Sequence, residues 1–250
     1  TSPGQSAGGG VYVLSGTIHL TDLIIEHNTA TFDGDGIGGG IFLQSTDAVL
    51  HNNTIQHNVA AIRSNNVTAA GGLYSNDSNL MMYDNQILSN TGSISTTGDF
   101  VTTGGLGLFR SQFVVSNNLV LGNTALVSGS LTTAGYGPPV GYCGGINIVD
   151  STGHFIDNTV KDNVAHSIGA AFGGGLCVWS GTQPITISHN VIEGNIASEA
   201  GAGDGMGGGI YIMNATNLVL EQNIIQLNTA ALTGEFGLGG GLAMSTNNLG

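Results

Sequence analysis

Residues 38–58 read GGGIFLQSTDAVLHNNTIQHN: three glycines, an apolar anchor at Ile41, then after a fixed gap an Asn-x-Ile-x-x-Asn phrase running from Asn53 to Asn58. The phrase recurs along the whole chain, with anchors at Val11, Ile41, Leu73, Leu106, Ile146, Leu176, Ile210 and Leu242, spaced by 30, 32, 33, 40, 30, 34 and 32 residues. Closing asparagines fall at Asn28, Asn58, Asn90, Asn123, Asn163, Asn195 and Asn228, always 17 to 19 residues past their anchor. Each repeat is thus one constant arm followed by a variable stretch rich in Gly, Ala, Ser and Thr. A period near thirty residues sustained over 250 is the mark of a solenoid.

Counting the anchor as position 0, positions 0 and +2 are apolar in nearly every repeat, as in Ile41/Leu43, Ile146/Ile148 and Ile210/Ile212. That alternation predicts a strand with one buried face. Positions +7 and +9 hold a second such pair, as in Leu80/Met82 and Ile185/Ile187, and position +14 holds Ile25, Ile55, Ile87, Val120, Val160, Ile192 and Ile225, with small insertions allowed in the last two repeats. Three strands this short, on an arm too short for hairpins, must pair with the same strand one repeat later. Parallel pairing at ~4.8 Å per layer stacks the repeats into an all-β parallel solenoid with three sheets around one apolar core. Strand-crossover-strand connections favour the right hand, so a right-handed parallel β-helix is expected, a single domain over 1–250 with about seven complete coils plus one partial. Asparagines at the bends predict two ladders along the axis: Asn53, Asn85, Asn118, Asn158, Asn190 and Asn223 in one, and the closing asparagines in the other. A metal- or sugar-contacting role is the competing reading of these residues; a position repeated in every coil is first a folding requirement. The glycine runs open strands rather than helices, so they are not phosphate loops.

Forty-three glycines without a Gly-X-Y period exclude collagen, and 40% apolar residues at strict spacing exclude disorder. Three basic side chains, Arg63, Arg110 and Lys161, stand against sixteen acidic ones, and a net charge of −13 repels nucleic acid and anionic membrane surfaces. No apolar run reaches the eighteen residues of a spanning helix. Four Asn-x-Ser/Thr sequons, at Asn52, Asn66, Asn76 and Asn214, fall within what chance supplies in a chain this rich in Asn and Thr.

Register along the solenoid places candidate sites. Position +4 stacks Asp77, Arg110 and Asp150 on three successive coils, with the two carboxylates two layers, ~9.6 Å, apart, near the upper limit for an inverting glycosidase pair. The same trio is also how a ladder avoids unpaired like charges, and an arginine between two acids holds both ionised. Asp33 and Asp35 in Asp-Gly-Asp-Gly, and Asp204 in a similar loop, are the candidate calcium ligands, although one or two carboxylates rarely suffice. His27 and His57 share a register but lack third and fourth ligands. Cys143 lies at −3 of its repeat and Cys177 at +1 of the next, too far apart by simple register for a disulfide unless the long stretch between Asn123 and Ile146 closes the gap.

The glycine-apolar strands and Asn-terminated arms resemble the right-handed parallel β-helix superfamily of pectate lyases, tailspikes and autotransporter passenger domains. Within it, residues 207–212, GGGIYI, with Asn223 and Asn228, resemble the Gly-Gly-Ala-Ile and Phe-x-x-Asn repeats of chlamydial polymorphic outer-membrane proteins, here with Ile or Val in place of Phe. The resemblance covers essentially the whole chain and implies the fold; the superfamily holds enzymes, adhesins and structural fibres alike. On enzymes of this fold, sugar chains lie along an outer sheet face. The resemblance therefore makes the outward aromatics Tyr12, Phe42, Tyr74 and Tyr211 at +1, with Phe109 and Trp179 at +3, candidate glycan platforms; a loop folded over that face, or a lateral contact, is the alternative. In pectate lyases an arginine serves as base beside calcium-binding acids, but their dense acid cluster has no counterpart here.

The chain opens ten residues before Val11 and stops at Gly250 without an amphipathic cap at either end. A solenoid left this way is a slice of a longer array or is covered by copies of itself stacked head to tail. The leading expectation is an extracellular or cell-surface structural protein, a fibre or stalk subunit. A carbohydrate-active enzyme using Asp77, Arg110 and Asp150, or a non-catalytic glycan-binding passenger domain, is the alternative.

Overall fold

The computed structural model describes residues 5–64, 67–96, 100–101, 103–129, 140–168, 171–179, 182–200, 204–233 and 236–245. Every paired strand is parallel to its neighbours, and each partner lies one repeat away: Ile41 pairs with Leu73, Leu73 with Leu106, and Leu106 with Ile146. The chain is a parallel β-solenoid, as the anchor spacing dictates.

The anchor strand and the second strand of each repeat share one 13-stranded sheet rather than two sheets. In the first two coils they run as single strands, Val11–Thr21 and Ile41–His51; later coils break them, as in Leu73–Asn76 and Asn79–Tyr83. At +4 the residues Ser15, Ser45, Asp77, Arg110, Asp150 and Asn214 all have φ of 44° to 59°, and from Asp77 onward the strand breaks there. This left-handed conformation is one that Asn and Asp accept more readily than most residues. The third strands, such as Thr54–Gln56 and Thr159–Lys161, make a seven-stranded sheet.

The variable stretch, expected as loop, is largely sheet. Residues directly after the closing asparagines form fourth strands that make a second seven-stranded sheet, among them Thr29–Asp33, Val59–Ser64, Thr91–Thr96, Thr124–Gly129, Val164–Ile168 and Ile196–Ala200. Short fifth strands ahead of the glycines, such as Val140–Tyr142 and Ala171–Phe172, make a six-stranded one. Six turns, from Ile41 onward, contribute to every one of these sheets among the described residues. The first turn differs from the expected count because its fifth strand, Asp35–Ile37, pairs with Gln5–Ala7 instead.

Two interiors result. The main core is filled by the anchor, second and third strands, with Ile41, Leu43, Leu50, Ile55, Ile87, Leu108, Ile148 and Phe155 all fully buried. Beside it the fourth and fifth strands enclose a thin lobe packed with small residues, including the buried Ala165, Ala171 and Ala197. The two are separated by a wall of glycine. A Cβ added at Gly144 would lie 2.5 Å from backbone atoms of Val164 and from the Gly174 carbonyl, and one at Gly145 would lie 2.5 Å from the Gly175 carbonyl and 3.1 Å from Nδ2 of Asn163. The glycine pair therefore recurs because backbone packs on backbone at both residues, and the second also packs on the ladder asparagine.

The inner corners follow one rule: a left-handed residue, then a buried side chain that caps the coil above. Asn52, Asp84, Asn117 and Asp157 (φ 54° to 59°) precede the first Asn ladder, and His57, Ser89 and Asp162 (φ 51° to 53°) precede the second. Asn123 illustrates the ladder. Its backbone N–H and Nδ2 both donate to Oδ1 of Asn163, at 2.9 and 3.0 Å, and Nδ2 also donates to the Ile87 carbonyl at 2.9 Å. Asn53 donates likewise to Asn85, Asn85 to Asn118, and Asn118 to Asn158. At the +4 corner hydroxyls take this part: the N–H groups of Thr46, Ser78 and Ser111 donate to Oγ of Ser78, Ser111 and Ser151. These buried polar groups are paired along the axis, as burial requires.

Candidate functional site

The corner at +4 gathers the strongest cluster of chemistry. Arg110 grips Asp77 with a two-pronged contact, Nε to Oδ1 at 2.9 Å and Nη2 to Oδ2 at 3.1 Å, and its Nη2 also donates to Oδ1 of Asn76 at 2.7 Å. Asn76 donates through Nδ2 to Oδ2 of Asp77 at 2.8 Å, closing the network. The guanidinium hydrogen bond holds the Asp77 carboxyl below the usual carboxylate range, partly opposed by desolvation. Asp150 sits one coil further, where its N–H donates to the Trp179 carbonyl and its charge acts on Arg110 only through space. An acid held ionised in a fork is a poor proton donor, and Arg110 is committed to it. Register thus aligns the three residues on successive coils, and only Asp77 and Arg110 form an ion pair.

The outward aromatics fall into two stacks. Tyr12, Phe42, Tyr74 and Phe109 run along the axis with centroids 5.2, 5.8 and 4.9 Å apart. Further along, Trp179 and Tyr211 join Tyr142 and Phe172 in a cluster of centroid distances 4.9 to 5.7 Å. The expectation that this face is open is corrected for two residues. Phe42 and Tyr211 are each only 3% exposed, while Tyr12 is 49% exposed. The residue at −3, left-handed in Gly8, Gly38, Ala70, Cys143, Gly173, Gly207 and Gly239, brings the preceding segment towards the +1 row, and Phe42 is also covered on both axial sides by Tyr12 and Tyr74. A Cβ on Gly38 would lie 3.2 Å from Cα of Phe42. Burial also pushes the Tyr74 phenol up to about 12.

The same fold-back overturns the register argument against a disulfide. Position −3 lies over the +1 row instead of far from it, so Cys143 and Cys177 stand 5.6 Å apart at Cα and are bonded. Both are fully buried under the second aromatic cluster.

The proposed calcium and metal ligands are dispersed. Asp33 is held by Arg63, whose Nη2 donates to Oδ2 at 2.9 Å and whose hydrogen bonding lowers the carboxyl pKa. Asp35 belongs to the strand paired with Gln5–Ala7, and the Asp204 carbonyl accepts from the Ala171 N–H. His27 and His57 stack face to face at 5.1 Å between centroids. Among the described residues no group of three or more His, Cys, Asp or Glu comes together as a metal site, and no helix is long and apolar enough to cross a membrane.

Sequence reasoning missed three features. The hydroxyl ladder at +5 carries no strong signal because Ser and Thr are common everywhere in this chain. On the outer face of the second strands an open groove of about 340 Å³ is lined in part by Asn79, Met81, Gln112, Val114, Thr152 and His154. Finally, His166 lies fully buried in the lobe, in register between Leu126 and Ser198, and burial lowers its pKa to about 4.

No curated protein and no solved structure matches the chain. Residues 4–192, well over half of the chain, match the family described as right handed beta helix region. With parallel coils, glycine wall and ladders on the page, the chain belongs to the right-handed β-helix family.

Proposed function

We propose that the chain is an extracellular structural rod, a section of surface stalk or fibre whose coils continue end to end into copies of itself. One observation carries this reading: the chain's three basic side chains all bond to the coil next door. Arg63 reaches Asp33, Arg110 reaches Asp77 and Lys161 reaches Glu193, at sequence separations of 30, 33 and 32. The disulfide, spanning 34 residues, likewise ties one coil to the next. Cations placed on axial contacts suit a molecule whose coils must stay in register with one another. A disulfide favours an oxidising, extracytoplasmic setting. Because every coil offers its neighbour the same register, a second copy can add at a terminal rung without new chemistry, and such a head-to-tail contact does not close.

Negative-stain electron microscopy of the purified protein is expected to show rods several times longer than one chain. Short particles that stay uniform in length at high concentration would overturn end-to-end growth. Release of sugars from acidic or neutral polysaccharides, abolished by Asp150→Asn, would overturn the structural reading altogether.

A further inference from the structure

The chain's two cysteines make a single bond, and it joins two neighbouring coils. Cys143 precedes the anchor Ile146 and Cys177 follows the next anchor, Leu176, so the bond closes a ring across 34 residues, slightly more than the 30 of that coil. The joint comes directly after the longest gap between anchors, the 40 residues from Leu106 to Ile146. Other contacts reinforce it. Thr103, in the coil before, donates through Oγ1 to the Cys143 carbonyl at 2.8 Å, and the Cys143 N–H donates to the Phe172 carbonyl of the coil after, also at 2.8 Å. Tyr142, Phe172, Trp179 and Tyr211, from three successive coils, pack against the two cysteines. Cys143 has φ of 56° at a position where five other repeats place the left-handed Gly8, Gly38, Gly173, Gly207 and Gly239. A side chain is disfavoured in that conformation. The cysteine runs against local preference here, and the bond accounts for it.

We propose that the Cys143–Cys177 bond is a stop against unravelling, a joint at which peeling of the solenoid halts. A coil touches only its neighbours, so a solenoid opens coil by coil from an end. Elsewhere along this chain each step breaks only the hydrogen bonds and apolar contacts of one coil. At the joint the step is different. Opening the coil anchored at Ile146 leaves residues 143–177 as a closed ring, which gains less chain entropy than an open segment of the same length. Peeling from the N-terminal side meets this ring at Cys143, and peeling from the C-terminal side meets it at Cys177. The ring is therefore the last part of the chain to open from either direction. Burial guards the bond, because a thiolate has to reach a sulfur to exchange with it and both cysteines are fully buried. The stop acts within one chain and holds whether or not chains stack end to end.

Native-state hydrogen exchange tests it, with the wild-type protein compared to Cys143→Gly combined with Cys177→Ala. Both replacements already occur at the same positions of other repeats, as Gly173 at −3 and Ala243 at +1. Loss of the bond is expected to speed exchange of the Ile146–Val149 and Thr159–Lys161 amides about a hundred-fold. Amides of Leu73–Asn76, outside the ring, should change by less than about three-fold. Wild-type protein unfolded and refolded in excess dithiol lacks the bond without any substitution and should match the double variant, which covers the case in which that variant fails to fold. Equal acceleration inside and outside the ring would reveal a general stabiliser instead of a stop, and unchanged exchange inside the ring would remove any part in opening. Either result overturns the proposal.

Discussion

The main core and the lobe beside it are built from the same chain in alternation, yet they are held together differently. The core is filled by large side chains at period 2, so that Ile146 and Ile148 point inward while their neighbours point out. The lobe is packed mostly by small side chains, with Leu126 and His166 as larger buried exceptions. Its buried alanines and the glycine wall let backbones approach to distances at which a single added carbon collides. Burial of area stabilises the first, and closeness of fit stabilises the second.

Replacing one residue in each region breaks this comparison most sharply. Ile148→Ala removes fully buried carbons and leaves a cavity, at a cost of about 2–5 kcal/mol. Gly144→Ala adds one carbon and is expected to cost at least as much, because backbone atoms of Val164 and the Gly174 carbonyl stand 2.5 Å from the new Cβ and no flexible side chain is there to yield. Chemical denaturation of both variants checks this. A Gly144→Ala protein as stable as wild type would show that the wall has slack and that the lobe is not closely fitted.

The second contrast concerns titration, since the main core holds no ionisable group among its clustered residues whereas the lobe holds His166. Burial depresses the imidazole pKa to about 4, against about 6.5 in the unfolded chain. Above pH 6.5 both states are neutral at this site and His166 has no pH effect. As pH falls from about 6.5 towards 4, the unfolded chain takes up a proton that the folded one refuses, and stability drops by about 3 kcal/mol in total. Urea midpoints between pH 7 and pH 4.5 should therefore fall in the wild type and fall less in His166→Leu. Parallel pH dependence in the two proteins would mean that the lobe opens to water around His166.

This contrast also explains what was legible in the residues themselves. The constant arm announces itself because Ile, Leu and Val alternate with polar residues, and because Asn at a fixed distance past a left-handed corner has few other uses. The fourth and fifth strands announce nothing: Val59–Ser64 and Ala171–Phe172 hold small or mixed residues whose sizes do not alternate, so they read as loop. Cys143 misled for a related reason. Its place near Cys177 depends on a left-handed residue at −3, and that conformation is marked by glycine in most repeats but by Cys143 itself in this one. The Asp77, Arg110 and Asp150 alignment was legible because register alone decides it. The covering of Phe42 and Tyr211 was not, because it depends in part on how a glycine-rich segment folds back.

The smallest expected effect tests whether the axial ion pairs hold coils together or merely decorate them. Arg110 and Asp77 are both more than 40% exposed at their side chains, so solvent screens much of their attraction and Arg110→Ala is expected to cost only about 0.2–1 kcal/mol. Asn123→Ala, by contrast, strips the Asn90 N–H and Nδ2 of their buried acceptor and removes donors to Asn163 and Ile87, at about 2–4 kcal/mol. Thermal unfolding of the two variants should therefore separate clearly, with the Asn123 variant far lower. If Arg110→Ala proves equally damaging, the surface pairs and not the buried ladders set the strength between coils. Salt would then weaken the solenoid as a whole, since exposed pairs are screened at high ionic strength and buried amide ladders are not.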